Sequence, residues 1–182
     1  ERDSYAELTE FVGTVAEAGC SSFIVHARKA WLQGLSPKEN REIPPLMYEV
    51  VHQLKLDFPQ LEIAINGGIL TLDEAENQLQ HCDSVMIGRA AYQNPWILSD
   101  VDRRIFDAEN PVTTRRQAAE SLLPYIERHI AAGGRFNHIS RHILGLFNSR
   151  PGARRWRRIL SEEGCREGAN VEVLQKALNA VS

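Results

Sequence analysis

"LEIAINGGILTLDEAENQLQ", residues 61–80, runs from an apolar stretch through Asn66 and two glycines into a segment with apolar residues at helical spacing. Thr71 and Glu74 stand three apart at its entry, the spacing of a capping box, in which each side chain accepts from the other residue's backbone N–H. A short strand therefore passes through one tight turn into a capped helix. Repetition of such a unit dictates parallel pairing, because each helix must return the chain to the same edge of the sheet.

The unit does repeat on both sides. Upstream, residues 4–18 carry Leu8, Phe11, Val12 and Val15 at helical spacing and stop at Gly19, and "SFIVHA" (22–27) reads as a strand. "PPLMYEVVHQLKLDF" (44–58) follows as a helix with proline in its first turn, halted before Pro59. Downstream, "SVMIG" (84–88) is a third strand running into "GRAAYQNP". The order is αβαβαβ, with strand ends at His26, Asn66 and Gly88. Ligands of open α/β sheets and of (β/α)8 barrels sit at the carboxyl ends of parallel strands, so these three loops are expected to face one site. Numbering the strands 6 to 8 of a (β/α)8 barrel accounts for the helices that follow.

"DAENPVTTRRQ" (107–117) is a polar connector, and only helical patterns lie beyond it. Pro124 is expected to kink or divide the first of them. The expected organisation is α/β: residues 1–110 as the C-terminal part of a TIM barrel, and 111–182 as a helical domain leaning on it. The chain opens with Glu1 inside a helix-strand alternation, which reads as a piece of a longer protein.

The 182 residues carry a net charge of −3 and no run of about 18 apolar residues, so neither a membrane span nor a secretion signal is indicated. A cytoplasmic setting is the default. Cys20, Cys82 and Cys165 are widely spaced and lack metal-site spacing, so all three are expected to be reduced packing residues, with no metal site.

Four features bear chemistry. Paired glycines in "NGGI" (66–69) let backbone N–H groups approach an anion beside a helix N-terminus, although a Gly pair also serves as a plain turn. "GR" (88–89) repeats the arrangement, and Arg89 offers a bidentate contact to phosphate or a cap on its own loop. Since loops 7 and 8 of such barrels often build a phosphate site, a phosphate-bearing cofactor is expected. His26 ends its strand level with both loops, either as a ligand contact or as hydrogen-bonded structure; Arg28 and Lys29 add charge to the rim or are solvated. From Arg135 to Arg158 the chain has seven arginines and no acidic residue, so the remainder carries −10. Such segregation points to a polyanionic partner, with neutralisation of the chain's own acidic part as the alternative. Helical spacing there puts Ala153, Trp156, Ile159 and Leu160 on one face and Arg154, Arg157 and Arg158 beside it, making Trp156 a core anchor. Trp31 likewise reads as a buried packing residue.

The stretches "HARKAWLQGLSPKENREIPPL", "INGGI", "GRAAYQNP" and "RHILGLFNSRPGARRWRR" resemble the C-terminal part of the tRNA-dihydrouridine synthases, A-type subfamily. The first and last of them are subfamily signatures. The resemblance implies FMN held in a (β/α)8 barrel, NADPH as reductant, and a helical tRNA-binding domain; hydride passes from flavin to C6 of a D-loop uridine (20/20a) while a cysteine protonates C5. It implies FMN contacts at His26, Asn66, Gly67, Gly68, Gly88 and Arg89, and tRNA contacts at Lys38, Arg41, Arg154 and Arg157. Partners are tRNA, with no membrane and no DNA.

The family's cysteine lies in an Asn-Val-Gly-Cys-Pro-type motif that this sequence lacks, so no catalytic residue is assigned and the isolated chain is expected to be inactive. Three strands cannot close a barrel, so the chain alone should self-associate through open edges. Two other readings stand beside the enzyme: a non-catalytic RNA-binding piece, and a phosphate-binding barrel enzyme acting on a small metabolite.

Overall fold

The structure, a computed structural model, describes residues 5–29, 31 and 33–181. Contacts gather into two units, residues 1–88 and 89–182.

In the first unit, helix α1 (Tyr5–Glu17) leads to β1 (Ser22–His26), α2 (Tyr48–Asp57) to β2 (Glu62–Asn66), and α3 (Leu72–Leu79) to β3 (Ser84–Met86). The strands pair in parallel in the order β1-β2-β3, so the sheet grows in one direction without reversal. Phe23, Val25, Ile63, Ile65 and Val85 pack with Val12 of α1, Val51 and Leu54 of α2 and Ala75 of α3 into one core. All three helices therefore pack against the odd-numbered face. On the alternate positions Ile24 and Met86 are 65% and 45% exposed, an apolar surface that this unit leaves uncovered. Period-two alternation makes that division, since successive side chains of a strand point to opposite faces.

Three local departures from the sequence reading have identifiable causes. Helix α2 begins at Tyr48, after both prolines. Pro44 precedes another proline, which disfavours helical geometry, and the Arg28 guanidinium binds the carbonyls of Glu42 and Pro44 while Arg28 bridges Leu46. The second strand covers 62–66 because Leu61 N–H donates to Phe58 in the preceding turn. Cys82 is buried and Cys20 half-buried, but Cys165 is exposed, which corrects the expectation that all three cysteines pack in the interior.

Asp83, at the entry to β3, accepts from Ile63 N–H at 2.8 Å and pairs with Lys55 Nζ at 2.8 Å. Burial pushes its carboxyl up, but the Ile63 N–H and the Lys55 ammonium outweigh that and hold it below the ordinary value. Its contribution is thus present above the unfolded value of about 3.9 and lost as pH falls through the lower folded value. We expect Asp83→Asn to destabilise the protein at pH 7, with the gap from wild type closing below about pH 4. Denaturant midpoints from pH 7 to pH 2 check this, and a gap independent of pH would remove the ion pair from the account.

The second unit holds α4 (Arg89–Gln93), a 3-10 segment (Pro95–Asp100), α5 (Val101–Ile105), α6 (Arg115–Glu120), α7 (Leu123–Ala131), α8 (Asn137–Ser140), α9 (Ala153–Glu162) and α10 (Val171–Leu178). No strand occurs among its described residues. Pro124 lies in the first turn of α7, just after the break that separates it from α6. Thr114 and Gln117 cap α6 reciprocally. The core collects Ala119, Ile126, Phe136, Trp156, Leu160, Leu174 and Ala177. Trp156 is fully buried, stacks obliquely on Phe147 at 4.7 Å, and donates Nε1–H to the Ile143 carbonyl at 3.1 Å. A Cβ on Gly145 would stand 2.0 Å from the Gln93 carbonyl oxygen, so only glycine lets this turn lie against α4.

Candidate functional site

Pairing register sets the first candidate site. His26, Asn66 and Met86 are partners on one rung across the three strands, so the strand ends are level. Asn66 Nδ2 donates to the Met86 carbonyl at 2.7 Å and ties β2 to β3. Its backbone carbonyl accepts from Ala27 N–H at 2.7 Å, which ties β2 to β1.

Gly67 and Gly68 then turn the chain with φ of 125° and 68°, values that L side chains rarely adopt. Space is as restrictive as dihedral angle. A Cβ on Gly67 would meet Leu46 at 3.2 Å and the His26 ring at 3.3 Å, and one on Gly68 would meet Leu46 at 2.5 Å. The imidazole of His26 is thereby seated against the glycine turn. Tyr48 donates its hydroxyl to the Gly67 carbonyl at 2.8 Å and holds the turn from below. Burial, then the Glu74 charge, pushes that phenol up, so it stays a donor at neutral pH.

The capping box of α3 forms as the sequence predicts, and it changes which N–H groups face outward. Glu74 accepts from Leu70 and Thr71, and Thr71 accepts from Glu74. Among the described residues none accepts from the N–H groups of Gly67 and Gly68. An anion at this turn would therefore meet the glycine amides, whereas several donors at the mouth of α3 are already engaged. Gly88 follows β3, and a Cβ placed on it would have nothing within 4 Å, which makes an open approach. Arg89, next in the chain, is exposed at the start of α4.

Lys38 and Arg41 lie on the loop between β1 and α2, at the two ends of a single 3-10 turn, Glu39–Arg41, and both are exposed. Ser36 and Glu39 hydrogen-bond reciprocally, with Ser36 N–H donating to Oε2 at 2.8 Å. The Asn40 side chain clamps the Trp31 backbone in both directions, at 2.7 and 2.8 Å. Trp31 is 39% exposed, which corrects its reading as a buried ring. Arg28 is a loop anchor rather than rim charge, because its guanidinium serves the Glu42 and Pro44 carbonyls.

In the second unit α9 carries the arginine stripe as its spacing predicts. Ala153, Trp156, Ile159 and Leu160 are buried, Arg154, Arg155 and Arg158 are exposed, and Arg157 is half-buried. Gly152 opens the helix at φ 81°, and its Cα comes so close to the Ala180 carbonyl that a Cβ would lie 2.3 Å from the oxygen. Arg154, Arg155 and Arg157 line a shallow hollow of about 540 Å³ with Ser149 and Arg150. Two residues of this architecture carry no signal in the sequence, Leu46 and Tyr48, which back the glycine turn. Neither has a local signature, because each acts on a segment distant in sequence.

Among the described residues no group of three or more His, Cys, Asp or Glu gathers as a metal site, and no helix is long and apolar enough to cross a membrane.

The sequence model of the family described as dihydrouridine synthase (Dus) matches residues 1–182. Curated relatives named tRNA-dihydrouridine(20/20a) synthase include those of Shewanella oneidensis, 56% identical over 100% of this chain and 54% of theirs, and Yersinia pestis, 60% identical over 99% and 52%. That of Pasteurella multocida is 58% identical over 99% of this chain and 55% of its own. The chain spans about half the length of the curated relatives it matches.

Proposed function

Because the chain belongs to the dihydrouridine synthase family, we propose that it forms the flavin-phosphate side and the RNA-gripping part of a tRNA-dihydrouridine synthase reducing uridines 20 and 20a. The carrying observation is the glycine turn: two unclaimed N–H groups on a left-handed backbone, where a side chain would crowd Leu46, beside His26 at the end of a parallel strand. Such a cradle fits a phosphate-bearing cofactor.

In this reading β1 to β3 are strands 6 to 8 of a (β/α)8 barrel. The one-directional strand order and the one-sided helices support it, since a closed barrel keeps its helices outside and packs the other sheet face within. Exposed Ile24 and Met86 then belong to the interior. Residues 1–110 serve the barrel and 111–182 the helical RNA-binding domain, in a cytoplasmic enzyme.

FMN, reduced by NADPH, supplies the hydride. Gly67 and Gly68 bind its phosphate through their amides, His26 lies against the same turn, and Asn66 sets the loop by its bond to Met86. Gly88 leaves room for approach and Arg89 adds charge. Lys38, Arg41, Arg154 and Arg157 hold tRNA by its backbone, as recognition of folded RNA by shape and phosphate requires. Holding the RNA on cationic walls offsets the cost of unstacking the target base. No Cys-Pro pair occurs in the chain, and no proton donor to C5 is assigned to its residues.

The test is direct. The intact protein is expected to bind FMN and, with NADPH and unmodified tRNA, to convert uridine 20 or 20a to dihydrouridine; absence of flavin affinity would overturn the reading. Arg154→Ala with Arg157→Ala should weaken tRNA binding roughly tenfold and flatten its salt dependence, by up to about one unit of slope for each phosphate left without its arginine. Gel-shift titrations across salt concentrations measure both.

A further inference from the structure

Beside the arginine helix lies a second hollow, about 320 Å³, lined by Trp96, Thr114, Arg115, Phe147 and Arg150 among others. The Arg115 guanidinium lies over the Trp96 ring at 5.0 Å from its centroid and donates to the Leu146 carbonyl. Stacking and that one bond fix the plane of the fork and leave further N–H groups available, since guanidinium carries five. Arg150 lines the same hollow. It also lines the hollow that holds Arg154, Arg155 and Arg157, so the two hollows share this residue.

Among the described residues neither Arg115 nor Arg150 has a carboxylate partner. Two like charges on one concave wall, one of them half-buried, repel each other and lack a counter-ion. Burial, then the Arg150 charge, accordingly lowers the Arg115 pKa. Arg116, next in sequence, is engaged by Glu120 and the Leu178 carbonyl. Thr114 accepts the Gln117 N–H at its hydroxyl oxygen, while its own hydroxyl hydrogen has no acceptor among the described bonds. The hollow therefore presents two forks and a hydroxyl donor with no anion in the described chain to receive them.

We propose that Arg115 and Arg150, with the Thr114 hydroxyl, hold a backbone phosphate of the RNA that lies along α9. The site extends the cationic row past Arg154 on a fixed fork rather than on a free surface side chain. It rests on the tRNA reading above. An ordered guanidinium loses less conformational freedom on binding than a solvated one, so this contact positions the RNA as well as attracting it.

Arg150→Ala is the primary variant, because Arg150 is exposed and its removal leaves the Trp96–Arg115 stack in place. In the intact protein it is expected to weaken tRNA binding several-fold and lower the salt slope by about one unit, with FMN affinity and unfolding midpoint unchanged. Arg115→Lys keeps the charge and loses the fork; it should lower affinity while leaving the slope near wild type. Arg154→Ala runs beside them. If it lowers affinity and slope while Arg150→Ala matches wild type, the phosphate site is overturned and the tRNA reading stands. Should both match wild type, the tRNA reading of this helix falls with it. A rise in melting temperature with inorganic phosphate that depends on Arg150, combined with unchanged tRNA binding, would make this a small-anion site and overturn the RNA assignment.

Discussion

Trp156→Ala is expected to cost about 3–5 kcal/mol, the range for truncating a fully buried aromatic. The ring has no exposed surface, contacts Phe147, and satisfies the Ile143 carbonyl through Nε1. Removal leaves a cavity and takes one of two donors from the half-buried Ile143 carbonyl, which keeps the Leu146 N–H at 3.0 Å, so the cavity is the larger penalty. Trp156→Phe keeps part of the volume and forfeits only the hydrogen bond plus some packing, so a loss of about 1–3 kcal/mol is expected for it. Against a typical domain stability of about 5–15 kcal/mol, the alanine variant removes a large fraction. Guanidinium denaturation gives the total, and hydrogen exchange over α9 and α10 locates it. Loss of protection confined to the second unit is expected; a change under about 1 kcal/mol would show that α9 does not depend on this ring. Since Arg154 and Arg157 ride on the same helix, the proposed tRNA affinity is expected to fall with protection, whereas Arg154→Ala is expected to lower affinity alone. That contrast separates scaffold from contact.

Where a signal is local, the sequence carries it to the right place. Thr71 and Glu74 form their capping box three residues apart, and Trp156 and the arginines of α9 take the faces that a period of 3.6 dictates. Signals that depend on distant partners mislead. Two prolines look like a helix start, yet Arg28 holds the carbonyls around them in an extended bridge, from a position 16 residues before Pro44. Trp31 looks like core by residue type, yet its backbone is clamped by Asn40 and the residue remains 39% exposed. Arg115 reads as connector because its seat, Trp96, and its acceptor, Leu146, lie on segments brought beside it only by folding. In the same way "NGG" announces a turn but not that Leu46 and Tyr48 close its underside, which is what makes the turn rigid enough to present its amides.

Gly68→Ala should therefore be the most damaging single methyl that can be added to the strand-end site. The residue holds φ 68°, and its new Cβ would stand 2.5 Å from Leu46 Cδ1 and 3.3 Å from the Tyr48 hydroxyl. Leu46 is the flexible partner and yields first. The same Cβ crowds the Tyr48 hydroxyl that donates to the Gly67 carbonyl, so the bond holding the glycine turn is expected to be disturbed as well. Combined dihedral strain and repacking should cost about 1–3 kcal/mol of stability. Hydrogen bonds to a charged phosphate are worth about 1.5–3 kcal/mol each, so misaligning two amides should lower FMN affinity by about 3 kcal/mol, roughly a hundredfold. Gly88→Ala is the informative companion, because nothing lies within 4 Å of its Cβ and its φ is not left-handed. It should leave stability unchanged, so any flavin affinity it loses must come from a collision with the flavin itself. Quenching of FMN fluorescence on titration with each variant, together with denaturant midpoints, reads both quantities. Wild-type affinity in Gly68→Ala would remove the glycine turn from the flavin site. Loss of affinity in Gly88→Ala at constant stability would place the phosphate within reach of both loops, as a ligand shared by two strand ends requires.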